Sequence, residues 1–241
     1  AAVAYVEGPL LVLAGAGSGK TKVITEKIAH LIHSKTFPPE QIAAITFTNK
    51  AAREMRERVA KRISKTAAEA VTVTTFHSLG LQFLQAEAKL AGLRRGFSIF
   101  DTDDQQGILK ELLPAGADKD ALYAAHNWIS KIKNLALSPG QAAETAATVR
   151  ERQIAELYAR YQARLQAFNA VDFDDLIHRS GRLLTTRSLE WVLYRLDGGI
   201  QHILVDEFQD TSPDQWNVID ALAREITAGE GARANRTVFV V

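Results

Sequence analysis

Apolar runs and apolar residues at helical spacing alternate through the first part of the chain. Leu10 to Leu13 is an uninterrupted apolar run of the kind a buried strand shows. Ile24, Ile28, Leu31 and Ile32 then recur at helical spacing, which predicts a helix over 22–34 packed back on a sheet. Phe37-Pro38-Pro39 breaks it. Ile42 to Thr48 predicts a second strand, running into a helix whose buried stripe is Ala52, Met55, Val59 and Ile63. Val71 to Gly80 predicts a third, with Val/Thr alternation before a Phe-His-Ser turn. Strands alternating with helices argue for a parallel, doubly wound sheet.

Beyond about residue 85 the pattern becomes helical. Thr102 to Gln105 reads as a capping box, and Ser138-Pro139-Gly140-Gln141 supplies an N-cap with proline at the first helical position. Ile154, Leu157, Tyr158, Tyr161, Leu165 and Phe168 trace an amphipathic stripe, read as bundle packing in preference to base stacking. Strand character returns over His202–Phe208 and Thr237–Val241. The expected architecture is an α/β domain with a parallel sheet, residues 1–85 and 171–241, carrying an inserted all-helical subdomain, residues 86–170. Gly229 to Arg236 has surface-loop composition, and no internal repeat is visible.

Composition narrows the class. With 241 residues and 46% hydrophobic content the chain can bury a sizeable core, and a charged fraction of 24% suits a soluble protein. No apolar run approaches the roughly 18 residues of a membrane span. The absence of cysteine excludes disulfides and thiolate metal sites and fits a reducing cytoplasm. A net charge of +1 does not announce a nucleic-acid partner, yet Lys50, Arg53, Arg56, Arg58, Lys61, Arg62 and Lys65 crowd one segment against Glu54 and Glu57. That segment is either a solvated helix face or a basic contact surface. The missing initiator Met and an end inside an apolar run suggest a chain cut at both ends.

The chemistry centres on Ala14-Gly15-Ala16-Gly17-Ser18-Gly19-Lys20-Thr21, between the first strand and the first helix. Backbone N–H groups of such a loop converge on an anion, and the helix N-terminus faces the same point. Lys20 is placed to reach the β- and γ-phosphates of ATP, and the Thr21 hydroxyl to take one Mg²⁺ position. Ala14 stands where the usual pattern has its first glycine, a departure a small residue tolerates. Asp206 and Glu207 close the apolar run Ile203–Val205. The C-terminal end of a parallel strand is where open α/β sheets put their ligands. Asp206 is expected to hold Mg²⁺, and Glu207 to orient and deprotonate the attacking water.

AGAGSGKT, ITFTNKAAREM, TFHSLG, VDFDDLI and VDEFQDT occur in this order. Together they resemble the successive motifs of superfamily 1 DNA helicases of the UvrD/Rep/PcrA group, and the match covers nearly the whole chain. The part to about Arg182 is most similar to the Rep branch. The stretch from Trp191 to Leu222, with GEGAR after it, is similar to AddA, the helicase–nuclease branch. The resemblance implies a RecA-like motor domain with an inserted helical subdomain, ATP and Mg²⁺ as cofactors, and 3′–5′ movement on DNA. It places Gln209 at the nucleotide. It puts Phe47, Thr48, Asn49, Lys50, Thr75, Phe76, His77 and Phe173 on single-stranded DNA, beside single/double-strand junctions. Hydroxyl, amide and ammonium groups suit phosphate oxygens, and an exposed Phe offers a stacking face. From the residues alone, Phe47 is equally a core residue, His77 a structural histidine and Asp172 a helix cap. The resemblance also implies a glutamine upstream of the loop, a γ-phosphate sensor after Val241, and a second RecA-like domain with arginine fingers, none of them in this chain.

Three other readings stay open: the motor part of an AddA-type helicase–nuclease, a non-translocating ATP-binding module on DNA, and a P-loop kinase or small-molecule ATPase. The last leaves TFTNK and TFHS unexplained.

Overall fold

A computed structural model describes residues 1–6, 8–13, 19–185, 200–228 (side chains to 224) and 237–241. The phosphate-loop residues Ala14, Gly15, Ala16, Gly17 and Ser18, the stretch 191–199 and the loop 229–236 lie outside the described residues. The chain divides into two compact units, one of residues 1–79, 186–211 and 219–241, the other of residues 80–185 and 212–218.

The first unit is built on strands β1 (Leu10–Leu11), β2 (Ile42–Thr46), β3 (Thr72–Thr75), β6 (His202–Val205) and β7 (Thr237–Val240). They form one sheet in the order β1-β7-β6-β2-β3, every pairing parallel, with Ile45 opposite both Thr74 and Val205. Residues of either parity along β2 and β6 are buried, as expected for a parallel sheet covered on both faces. Helices α1 (Lys20–His33), α2 (Asn49–Ala60) and α3 (Lys65–Ala70) belong to this unit too. Ile24, Ile28 and Leu31 of α1 and Met55 and Val59 of α2 pack with Ile42, Ala44, Leu204 and Phe239 of the sheet. The stripes read from the sequence thus face the core. The strands are shorter than their apolar runs, because β2 ends at Thr46 and β6 at Val205.

The second unit holds most of α4 (Phe76–Ala86), which opens in the first. It also holds α5 (Thr102–Leu112), α6 (Lys119–Asn134), α7 (Pro139–Thr145), α8 (Val149–Ala167) and α9 (Phe173–Thr185). The start of α10 (Pro213–Ala228) belongs to it as well. It is not wholly helical: β4 (Ser98–Phe100) and β5 (Ala170–Asp172) pair in parallel. Tyr158, Tyr161 and Leu165 of α8 are buried with Ile108, Leu109 and Ile129. Phe168 departs from the expected stripe, being 52% exposed beside Phe100 and under the Arg164 guanidinium. Ser138 caps α7 with a box closed by Gln141, as its sequence implies. The box at α5 is shifted by one residue: Asp101, not Thr102, is the N-cap, closed by Asp104. Asp and Thr oxygens can both accept first-turn N–H groups, and here Asp101, the residue directly after β4, takes that place.

Candidate functional site

Every parallel strand of the first unit ends on the same edge of its sheet, and the polar motifs follow those ends. Gly19 takes the left-handed conformation, φ +85°, immediately before α1, a geometry in which a side chain is strained. Lys20 and Thr21 are the first residues of the helix, so their own N–H groups are among those a helix leaves without internal partners. On the far side of β7 in the sheet order, β6 delivers Asp206 and Glu207. Lys20 Nζ lies 3.0 Å from Glu207 Oε2, and the Thr21 hydroxyl is 3.5 Å from Asp206 Oδ2. Residues 187 positions apart are thereby brought into one cluster.

The two carboxylates sit in different surroundings. Asp206 is 3% exposed, and burial, then the Glu207 charge, pushes its carboxyl above the ordinary range. The Glu207 N–H donates to Asp206 Oδ1 at 3.1 Å. Glu207 is half-exposed and held below the usual range by hydrogen bonds from Gln209 and Lys20. Its backbone is left-handed, φ +54°, which turns its side chain out of the direction the strand would give it. The pair is therefore divided into one buried carboxylate beside a hydroxyl and one accessible carboxylate beside an ammonium. Thr21 and Asp206 form a hard-oxygen donor pair suited to Mg²⁺.

The residues expected at single-stranded DNA divide in the structure. Thr48 caps α2, accepting from the Ala51 N–H at 3.0 Å, and Thr48, Asn49 and Lys50 are exposed at the end of β2. Phe47 is half-buried, its ring edge-on to Phe76 at 5.5 Å. Thr75 and Phe76 are 4% and 3% exposed, and the Thr75 hydroxyl accepts from the Ser78 N–H. The ring of Phe76 backs that of Phe47, and the Thr75 hydroxyl caps the first turn of α4. His77 is half-buried in the first turn of α4. Phe173 belongs to the second unit, where it opens α9 and is 49% exposed. Asp172 does cap that helix, through Asp175 N–H at 2.8 Å. The partner of this acidic segment, Lys133, was missed in the sequence. Its signal is a lysine one turn after Ile129 on the apolar stripe of α6. Among the described residues no helix is long and apolar enough to cross a membrane.

The family model of the UvrD/REP helicase N-terminal domain matches residues 1–233. The ATP-dependent DNA helicase Rep of Escherichia coli K12 is 45% identical over 239 residues, covering 98% of this chain and 34% of Rep. The ATP-dependent DNA helicase PcrA of Leuconostoc citreum is 41% identical over 226 residues, and that of Staphylococcus aureus 39% over 225, each covering 92% of the chain. The chain spans about a third of the length of the curated relatives it matches. Its mixed α/β architecture with a parallel sheet is compatible with a RecA-like helicase domain. The chain belongs to the family of UvrD/REP helicase N-terminal domains.

Proposed function

We propose that this chain is the ATP-binding N-terminal motor part of an ATP-dependent 3′–5′ DNA helicase or translocase. Its RecA-like domain would be formed by residues 1–85 and 171–241, with residues 86–170 as the inserted helical subdomain. The observation that carries the reading is the meeting of Lys20 and Thr21 with Glu207 and Asp206 at the C-terminal edge of a parallel sheet. A cytoplasmic location accords with the absence of cysteine.

In this reading the loop 14–19 cradles the phosphates of ATP and Lys20 neutralises their charge. Thr21 and Asp206 would hold Mg²⁺, which would supply charge to offset that of the phosphate oxygens. Burial of Asp206 raises the energy of its bare charge, so a cation is the natural compensation. Glu207 is kept ionised, the state a general base needs, and is accessible to water. Lys20 and Glu207 neutralise each other at 3.0 Å. A triphosphate competing for Lys20 would free that carboxylate oxygen as substrate enters, leaving Gln209 to orient it. Asn49, Lys50 and the Phe47 ring offer a phosphate-binding and stacking surface for single-stranded DNA, with His77 beside them in the motif order. Transition-state charge from a facing RecA-like domain, and the junction DNA that a helicase separates, belong to the whole protein.

The test is ATP hydrolysis by the full-length protein with and without single-stranded oligothymidylate. Stimulation by DNA that disappears in Lys20→Ala, with nucleotide-free DNA binding retained, is the expected result. Hydrolysis indifferent to DNA would instead leave a non-translocating ATP-binding module.

A further inference from the structure

Lys133 lies fully buried on α6, where Ile129 one turn earlier packs in the bundle core. An apolar residue would continue that stripe. Instead Nζ donates to Asp172 Oδ2 at 2.6 Å and to Asp175 Oδ1 at 2.9 Å. The Tyr161 hydroxyl donates to Asp172 Oδ2 at 2.9 Å, and the Gln162 amide to Asp175 Oδ1 at 3.1 Å. Arg179 Nε, 3.4 Å from Asp175 Oδ2, brings the charges into balance at two of each sign. Asn134, the next residue on α6, reaches Asp174 Oδ1 at 3.4 Å. Asp172 is also the cap of α9. The carboxylate before Phe173 and the two after it are therefore all gripped from α6, while the Phe173 ring stands 49% exposed.

Well-packed apolar residues often match or exceed a buried ion network in stability, so such a network is better explained by the geometry it imposes. The geometry here is that of one turn of helix and one ring. We propose that Lys133 is a positioning residue: through Asp172 and Asp175 it fixes the first turn of α9, and so presents Phe173 as a pre-set stacking face for a base of single-stranded DNA. The proposal rests on the reading of Phe173 as a DNA contact. A ring already held in place binds with less ordering cost than one on a frayed helix end.

The experiment is a thermodynamic cycle in the 241-residue chain, read by titration with oligothymidylate carrying one 2-aminopurine, whose fluorescence falls on stacking. A fluorescent ATP analogue serves as the control for the rest of the fold. Phe173→Ala is expected to weaken DNA binding about 5- to 150-fold and to abolish the quenching. Lys133→Met is expected to weaken it at least about 3-fold with reduced quenching, leave ATP-analogue affinity unchanged, and add nothing in the Phe173→Ala background. An equal loss with and without Phe173, or no loss at all, overturns the proposal. If Phe173→Ala itself changes nothing, the DNA reading of Phe173 fails and the proposal fails with it. Should Lys133→Met not fold, Lys133→Met combined with Asp172→Asn carries the same cycle under the same criteria, because Arg179 then balances the remaining Asp175 charge.

Discussion

Glu207 holds a left-handed backbone at φ +54°, a conformation that costs a non-glycine residue about 1–2 kcal/mol. The cost is met where the side chain has to leave the line of its strand and face Lys20 at 3.0 Å. Glu207→Gln keeps that shape but removes the proton acceptor. In the full-length protein it is expected to retain ATP and Mg²⁺ binding while turnover falls by about 10²–10⁴. Asp206→Asn should instead raise the Mg²⁺ requirement. Equal Mg²⁺ dependence in both variants would refute the division of roles. His202 makes a separate prediction about stability. It is fully buried beside Phe37 and in contact with Thr237, and burial lowers its pKa to about 3 from 6.5. Between those values the unfolded chain takes up a proton that the folded chain refuses. The stabilisation is complete above pH 6.5 and is lost toward pH 3, at roughly 1.4 kcal/mol per pH unit. Urea midpoints measured from pH 7 to 4 should fall less steeply in His202→Gln than in the native chain. Parallel slopes would exclude His202 as the source.

Gly80 shows how the elements set limits that motif reading does not. A Cβ there would stand 2.2 Å from the Leu176 carbonyl oxygen and 3.1 Å from Ser180 Oγ, so α4 and α9 approach backbone to backbone. Gly80→Ala gains about 1 kcal/mol of helix propensity but forces the two helices apart. A net loss of about 2 kcal/mol is expected, seen as a lower thermal midpoint of the chain. Unchanged stability would mean that α9 gives way freely. TFHSLG reads from sequence as the end of a strand and a turn, because Val71 to Thr75 alternate before Phe-His-Ser. In the structure Thr75 caps a helix that begins at Phe76, and the glycine is a packing position inside it. Helical stripes were legible because Ile24, Ile28, Met55 and Val59 each carry their burial in their spacing. The half-burial of Phe47 against the full burial of Phe76 was not, since each is a Phe directly after a strand end. Lys133 was illegible for a related reason. Its partners Asp172 and Asp175 lie 39 and 42 residues away, and local pattern carries no record of them.

Taken whole, the chain brings a lysine, a hydroxyl–carboxylate pair and an accessible carboxylate together, all supplied by one parallel sheet and the helix after its first strand. In the proposed motor, charge that develops on the transferred phosphoryl group is shared with arginines of a facing domain, and none of the groups described in this site is an arginine. Lys20 and Mg²⁺ would then act alone, in a site open to water, where screening weakens both. Arginine fingers contribute roughly 10³–10⁵ in rate where they have been measured in phosphoryl transfer. The 241-residue chain by itself is therefore expected to hydrolyse ATP at least about 10³-fold more slowly than the full-length protein on DNA. It should still bind single-stranded DNA weakly and without strong sequence preference. That binding should weaken as salt rises, since Lys50 and its basic neighbours act by displacing counterions. Strand separation should be undetectable, because movement along DNA needs two domains that open and close on the strand in turn. Steady-state ATP turnover, a salt titration of oligothymidylate binding and a strand-displacement assay on the same preparation check all three. Turnover equal to that of the full-length protein, or ATP-dependent displacement by the monomeric chain, would make it a complete motor and refute the shared-site reading.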